Sequence, residues 1–154
     1  VGYDLFPTIC DWLNISNLPS GIEGGSLASV LKGESEEVKR ENDFLVFHFP
    51  HYQLQKGSHP VSSIVWKDFK LLKFYETGDF RLYYLKEDTA ENLNLATIRP
   101  DLVKKMDGLM EEYLIKINAK LPKINPDYNR NNDPGREYQD RKYSLMNEPY
   151  FIID

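Results

Sequence analysis

Apolar residues recur at Leu5, Phe6, Ile9, Cys10 and Leu13, the three- and four-residue spacing of a helix over 3–13. Pro7 falls in its first turn, where a missing N–H is harmless, and Asp4 stands where a cap is expected. A loop rich in Pro and Gly runs from Asn17 to Gly25; Ser26 then caps a short turn, Leu27 to Lys32, closed by Gly33. The charged run Glu34 to Asp43 reads as a solvated connector with room for a short helix. After it the pattern becomes strand-like: Phe44 to Phe49, Val61 to Trp66, Phe69 to Tyr75 and Phe80 to Leu85. The pair Lys67-Asp68 joins the second and third as a tight hairpin without the usual glycine, and Glu76 to Asp79 turns the chain into the fourth. Pro100 opens the longest helix, to about Ala119, with a stripe of Leu102, Val103, Met106, Leu109, Met110, Tyr113, Leu114 and Ile117. Pro122 ends it. The remainder is rich in Asn, Asp, Arg and Tyr and reads as an extended surface strap, closing with a short strand at Tyr150 to Ile153.

These elements predict an α+β fold: a four-stranded, mostly antiparallel sheet with the long amphipathic helix on one face, an N-terminal helix and the strap. A chain of 154 residues with 41% hydrophobic residues is large enough for one core and too apolar for intrinsic disorder. No run approaches the ~20 apolar residues of a membrane span. The net charge of −5 argues against a general nucleic-acid binder, which needs a basic face to neutralise phosphates. Cys10 is the single cysteine, so neither an internal disulfide nor a cysteine zinc site is expected.

Candidate chemistry is sparse. His48 and His51 lie in Phe-His-Phe-Pro-His-Tyr, and His59 follows after a loop. Three readings stay open for them: a metal site short of ligands, a strand end placing His51 and Tyr52 in a cleft, or ordinary loop residues. Positions 48 and 51 have opposite strand parity and face opposite sides unless Pro50 breaks the strand. Gly24-Gly25-Ser26 could hold an anion at a helix start or simply make a turn. The carboxylate pairs Glu36-Glu37, Glu87-Asp88 and Glu111-Glu112 are at home on solvated surfaces, and Trp66, Tyr75, Tyr83 and Tyr84 fit either a sugar-stacking platform or the core. Asn14-Ile15-Ser16 matches a glycosylation acceptor. By its own residues the chain carries no catalytic constellation.

The order of segments says more. Asp4-Leu-Phe-Pro-Thr8, then Gly21-Ile-Glu-Gly-Gly-Ser-Leu27 and Val30-Leu-Lys-Gly33, resembles the late region of formylglycine-dependent sulfatases of the alkaline-phosphatase-like superfamily. The similarity continues through Phe47-His-Phe-Pro-His-Tyr52, Lys70-Leu-Leu72, Leu82-Tyr-Tyr-Leu85 with Asp88, Glu91, Asn94, Leu95 and Ala96, and reaches Asn125-Pro126. Many relatives carry an arginine near Val65 and a glycine near Lys67, which are absent here.

The resemblance implies that residues 1–33 end a large sulfatase domain, 34–128 form its C-terminal α+β subdomain, and 129–154 are the strap. It implies a formylglycine and a calcium-type divalent ion in an N-terminal catalytic domain of the same chain. In this portion it implies no catalytic residue, metal ligand or cofactor. Cys10 is followed by Asp11-Trp12-Leu13 and cannot be the aldehyde precursor, which requires Cys/Ser-x-Pro-x-Arg. His51, Tyr52 and His48 are the expected substrate-facing residues for a sulfated small molecule or glycan. The resemblance also implies a periplasmic or extracellular location. The first helix, exposing Leu5, Phe6, Ile9 and Leu13, is expected to favour self-association if uncovered. A free-standing carbohydrate-binding or protein-interaction module is the alternative.

Overall fold

A computed structural model describes residues 1–51 and 60–123. The expected strap and its strand at 150–153 lie outside the described residues. The chain divides into two compact units, Val1–Phe44 and Leu45–Asp154.

In the first unit a 3-10 turn, Gly2–Asp4, leads into α1, Leu5–Trp12, and a single helical turn follows at α2, Ala28–Leu31. Helix α1 turns its small and polar residues inward: Pro7, Thr8 and Cys10 are buried, while Leu5, Phe6, Ile9 and Leu13 are each at least half exposed. Asp4 does not cap α1 with its side chain. Its carboxylate is fully buried and turned toward Gly25 and Arg40 instead. The run 34–43 forms no helix, and it is not wholly solvated, because Arg40 reaches inward to Asp4. Ser26 accepts a hydrogen bond from the Ala28 amide at 3.1 Å, so it satisfies the start of α2 from one residue before the cap.

The second unit, entered within β1 (Phe44–Phe49), contains the rest of that strand with β2, Val61–Trp66, β3, Phe69–Phe74, and β4, Phe80–Tyr84, in the order β1-β2-β3-β4 of an open antiparallel sheet. Trp66 faces Phe69 across the two-residue Lys67-Asp68 hairpin, as its spacing predicts. Lys67 takes φ +54°, the left-handed region where glycine is free and a side chain costs about 1 kcal/mol or more.

Register fixes which residues share a face. Ile64 stands opposite Leu71, and Leu71 opposite Leu82, and all three are fully buried. Helix α3, Pro100–Lys116, packs over β2 and β3 and adds Leu102, Met106, Met110 and Leu114, one residue per turn. Each such side chain contributes roughly 1.5–3 kcal/mol on burial. Lys73 shares this face and reaches Asp107 at 2.9 Å and Glu111 at 2.6 Å on α3. Burial pulls its ammonium down, and the bonds to Glu111 and Asp107 together outweigh that, so its pKa is raised.

The helix stops at Lys116, short of the expected Ala119. Asn118 takes φ +51°, and the Ala119 amide bonds back to the Leu114 carbonyl, so a Schellman closure ends α3 before Pro122. Asn14 (φ +55°) and Gly33 (φ +74°) end α1 and α2 in the same way. Among the described residues no helix is long and apolar enough to cross a membrane.

Candidate functional site

The sequence directs attention to the end of β1. The strand stops at Phe49, and Pro50 does break it, so the parity argument no longer binds His51. His51 sits exposed in a bend, its ring edge-on to Phe49 at 4.9 Å between centroids. Phe47, on the same strand, is 48% exposed. Tyr52 and His59 lie outside the described residues.

His48 remains on the strand and is held at both ring nitrogens. Nε2 lies 2.9 Å from the Lys120 carbonyl and Nδ1 lies 2.6 Å from Ser62 Oγ, which in turn lies 2.8 Å from the Tyr75 hydroxyl. A carbonyl only accepts, so Nε2 must carry a proton. In the neutral ring Nδ1 then accepts from the Ser62 hydroxyl, and Ser62 accepts from Tyr75. This chain of three side chains ties the segment after α3 to the sheet. Tyr75 also lines a cleft of about 420 Å³, whose other walls include Lys73, Glu111, Leu114, Asn118 and Leu121. The lining is mainly apolar, and Lys73 is already paired with Asp107 and Glu111.

Ser62, which holds His48 in place, is the residue here that the sequence reading missed; Tyr75, read there as a stacking or core aromatic, instead bonds to Ser62. The signal was present: Ser62 has the parity of Ile64, which places a polar residue at a core-facing position of an apolar strand. A buried hydroxyl at such a place requires a partner.

The segments carrying the resemblance have bonding roles that explain their residue types. Asp4 Oδ1 accepts from the Gly25 amide at 3.0 Å, Thr8 Oγ1 accepts from the Leu27 amide at 2.9 Å, and the Ser26 hydroxyl donates to Asp11 at 2.6 Å. Helix α1 and the Gly-Gly-Ser-Leu turn are thereby one bonded unit. Gly24 and Gly25 lie in irregular backbone packed against the Tyr3 and Lys39 carbonyls, and the Gly25 amide is already occupied by Asp4 rather than open to an anion. In the second unit Asn94 Oδ1 accepts from the Leu82 amide at 3.0 Å, and the Leu95 amide bonds to the Leu82 carbonyl at 2.7 Å, so the loop covers the β4 edge. Asp88 accepts from the amides of Asn92 and Leu93, and these bonds, Asn92's first, lower its pKa. Lys70 pairs with Glu91 at 2.6 Å.

Neither implied reactive group fits these residues. Among the described residues no cluster of three His, Cys, Asp or Glu is placed to hold a metal ion. Cys10 is buried and lacks the required Pro and Arg, and no Ser of the 154 residues is followed by Pro two positions on and Arg four positions on. No step of a reaction is therefore assigned to this chain's own side chains.

Comparison with known proteins agrees with the segment order. The family model of the N-sulphoglucosamine sulphohydrolase C-terminal region matches residues 1–120. A sulfatase of Formosa agariphila is 35% identical over 130 residues, covering 75% of this chain and 23% of that protein. An N-acetylglucosamine-6-O-sulfatase of Bacteroides thetaiotaomicron is 28% identical over 109 residues, covering 70% of this chain and 19% of its own length. Among solved structures, the 2-O GAG sulfatase BT1596 superposes with a TM-score of 0.59 at 25% identity, covering 75% of this chain and 24% of that one. The chain thus spans about a fifth of the length of the curated relatives it matches.

Proposed function

The chain belongs to the N-sulphoglucosamine sulphohydrolase C-terminal family, and we propose that it serves as the C-terminal subdomain of a sulfatase that cleaves sulfate esters of sugars. In this reading it closes one side of the substrate pocket and supports an N-terminal catalytic domain of the same polypeptide, which supplies the formylglycine and a calcium-type divalent ion. The observation that carries the reading is the bonded framework of the matched segments. Asp4, Thr8, Gly25, Asp88, Asn94 and Leu95 are all engaged in holding the fold. A sulfated glycan as substrate is consistent with the sugar sulfatases among its relatives. An extracytoplasmic location accompanies that substrate class. The exposed apolar face of α1 (Leu5, Phe6, Ile9, Leu13) is suited to lie against the catalytic domain.

The test is a pair of assays. The 154-residue chain is expected to release no sulfate from aryl or glucosamine sulfates. The same residues joined to their upstream sequence, with a Cys/Ser-x-Pro-x-Arg segment in it, are expected to do so. Turnover by the short chain above a blank overturns the division of labour.

His51, Tyr52 and His48 are the residues we place at the pocket rim. His48 acts there by position, because both its ring nitrogens are engaged by Ser62 and Lys120. His51 is exposed just past the end of β1 and is the better candidate for contact. In the longer, active chain His51→Ala should raise KM severalfold while kcat falls less, the pattern of lost substrate binding. An unchanged KM removes His51 from the site.

A further inference from the structure

One cluster has no part in this framework. At the tip of the β2–β3 hairpin two ammonium groups meet on one indole: Lys67 Nζ lies 4.8 Å and Lys105 Nζ 4.5 Å from the ring centroid of Trp66. Trp66 stands opposite Phe69, and Phe69 opposite Tyr84, with the Phe69 and Tyr84 rings 4.9 Å apart, so an aromatic row lies beneath Lys105 of α3. Lys70, Lys73, Arg40 and Arg99 each hold a carboxylate, but among the described residues neither Lys67 nor Lys105 has one within ion-pair distance. The acids closest in sequence are Asp68, which adjoins Lys67, and Asp107, which lies two positions from Lys105 and is paired with Lys73.

Two features make this arrangement costly for the fold alone. Like charges gathered on one ring repel each other, in a chain whose net charge is −5 and whose carboxylates outnumber its cations. Lys67 also holds its place at φ +54°, in a two-residue turn where glycine is strain-free. Strain kept at an exposed cation points to a use for that cation. An indole flanked by two ammonium groups matches a ligand with an apolar ring face and anionic substituents. The ammoniums are separated by no more than their two ring distances combined, within the span of sulfates on one or two adjoining sugars.

We propose that Trp66, Lys67 and Lys105 form a binding patch for a sulfated sugar chain, with sulfates on the ammoniums and a pyranose face along the indole edge. The identity of the ligand as a glycan rests on the sulfatase reading above; the patch itself rests on its geometry.

The indole N–H signals of Trp66 and Trp12 in ¹H–¹⁵N spectra of the 154-residue chain test this directly, with Trp12 on α1 as internal reference. A sulfated heparin tetrasaccharide should move the Trp66 signal and leave Trp12 in place, and raised salt should weaken the effect. Lys67→Gly and Lys105→Gln should each weaken binding up to about fivefold, the range of one exposed charge contact. Lys67→Gly relieves the left-handed backbone, so its Tm should hold or rise, and lost binding in it cannot be lost folding. A still Trp66 signal, equal movement with the unsulfated tetrasaccharide, or full affinity in both variants overturns the patch. Equal movement with inorganic sulfate alone reduces it to a simple anion contact and overturns the glycan proposal. Because no turnover is read, the two ideas fail separately: a moving Trp66 in a chain whose longer form hydrolyses no sulfate ester keeps the patch and removes the sulfatase reading. Hydrolysis with a still Trp66 does the reverse.

Discussion

Asp4→Ala is expected to destabilise the first unit by roughly 3–5 kcal/mol, the cost of stranding one member of a buried ion pair. Asp4 is fully buried, and Arg40, only 19% exposed at its side chain, meets it with two bonds, Nε at 2.9 Å and Nη2 at 2.7 Å. Removing the carboxylate leaves a guanidinium without its counter-charge and the Gly25 amide without its acceptor. Asp4→Asn should cost less, because an amide oxygen still accepts from Gly25. Urea unfolding followed by Trp12 fluorescence reads this, since Trp12 belongs to the same unit. A loss below about 1 kcal/mol for Asp4→Ala would show the pair to be dispensable.

The same carboxylate sets a pH dependence. The Arg40 bond holds Asp4 well below the usual carboxylate range, against the opposing effect of burial, and the Gly25 amide adds to the lowering. A lowered folded pKa means the unfolded chain takes up the proton first. The stabilisation is therefore complete above the unfolded value of about 4 and is lost as pH falls toward the folded one. Stability of the first unit should decline steadily below pH 4, and Asp4→Asn should flatten that decline. An unchanged slope in Asp4→Asn would assign the acid sensitivity elsewhere.

Gly25→Ala is the second large effect, expected at about 3 kcal/mol or more. A Cβ there would lie 2.1 Å from the Lys39 carbonyl oxygen and 2.8 Å from Val38 Cγ1. The first of these is backbone and cannot swing away as a side chain would. Shifting the Lys39 segment would also drag Arg40 off Asp4, so the clash and the ion pair are coupled. Gly24→Ala meets the Tyr3 carbonyl oxygen at 2.2 Å and should behave alike, whereas Gly2, with nothing within 4 Å of its added Cβ, is the control. Thermal melts that place Gly25→Ala beside Gly2→Ala would refute the close approach.

These two effects explain why the segments resembling sulfatases have the residues they do. The Asp-Leu-x-Pro-Thr helix and the Gly-Gly-Ser-Leu turn are separated by about 20 residues in sequence and joined by three side-chain bonds in space. The glycines bring the turn against neighbouring backbone, and the Asp, Thr and Ser side chains satisfy its polar groups. A similar argument covers Asp88, Glu91 and Asn94, which build the loop over β4. These contacts hold each segment in its own unit, in keeping with the supporting role proposed for this chain.

Periodicity alone determined the four strands, the order of the elements and the long helix, because alternation and three-to-four spacing are local properties of the chain. The hairpin at Lys67-Asp68 was equally legible from the two apolar runs that flank it. The ordered short motifs were enough to reach the family. Partnership between distant residues was not legible, since no local pattern records it. Asp4 looks like a helix cap until Arg40, 36 positions later, is seen to occupy it. The helix end was misplaced because an asparagine in the left-handed region stops a helix as effectively as the proline that follows. His48 read as a candidate substrate contact, and only the tertiary structure shows it bound between Ser62 and the Lys120 carbonyl, 72 residues away. The convergence of Lys67 and Lys105 on Trp66 likewise depends on how α3 lies over the sheet. Local sequence sets which way each side chain can face, and long-range packing decides what it meets there.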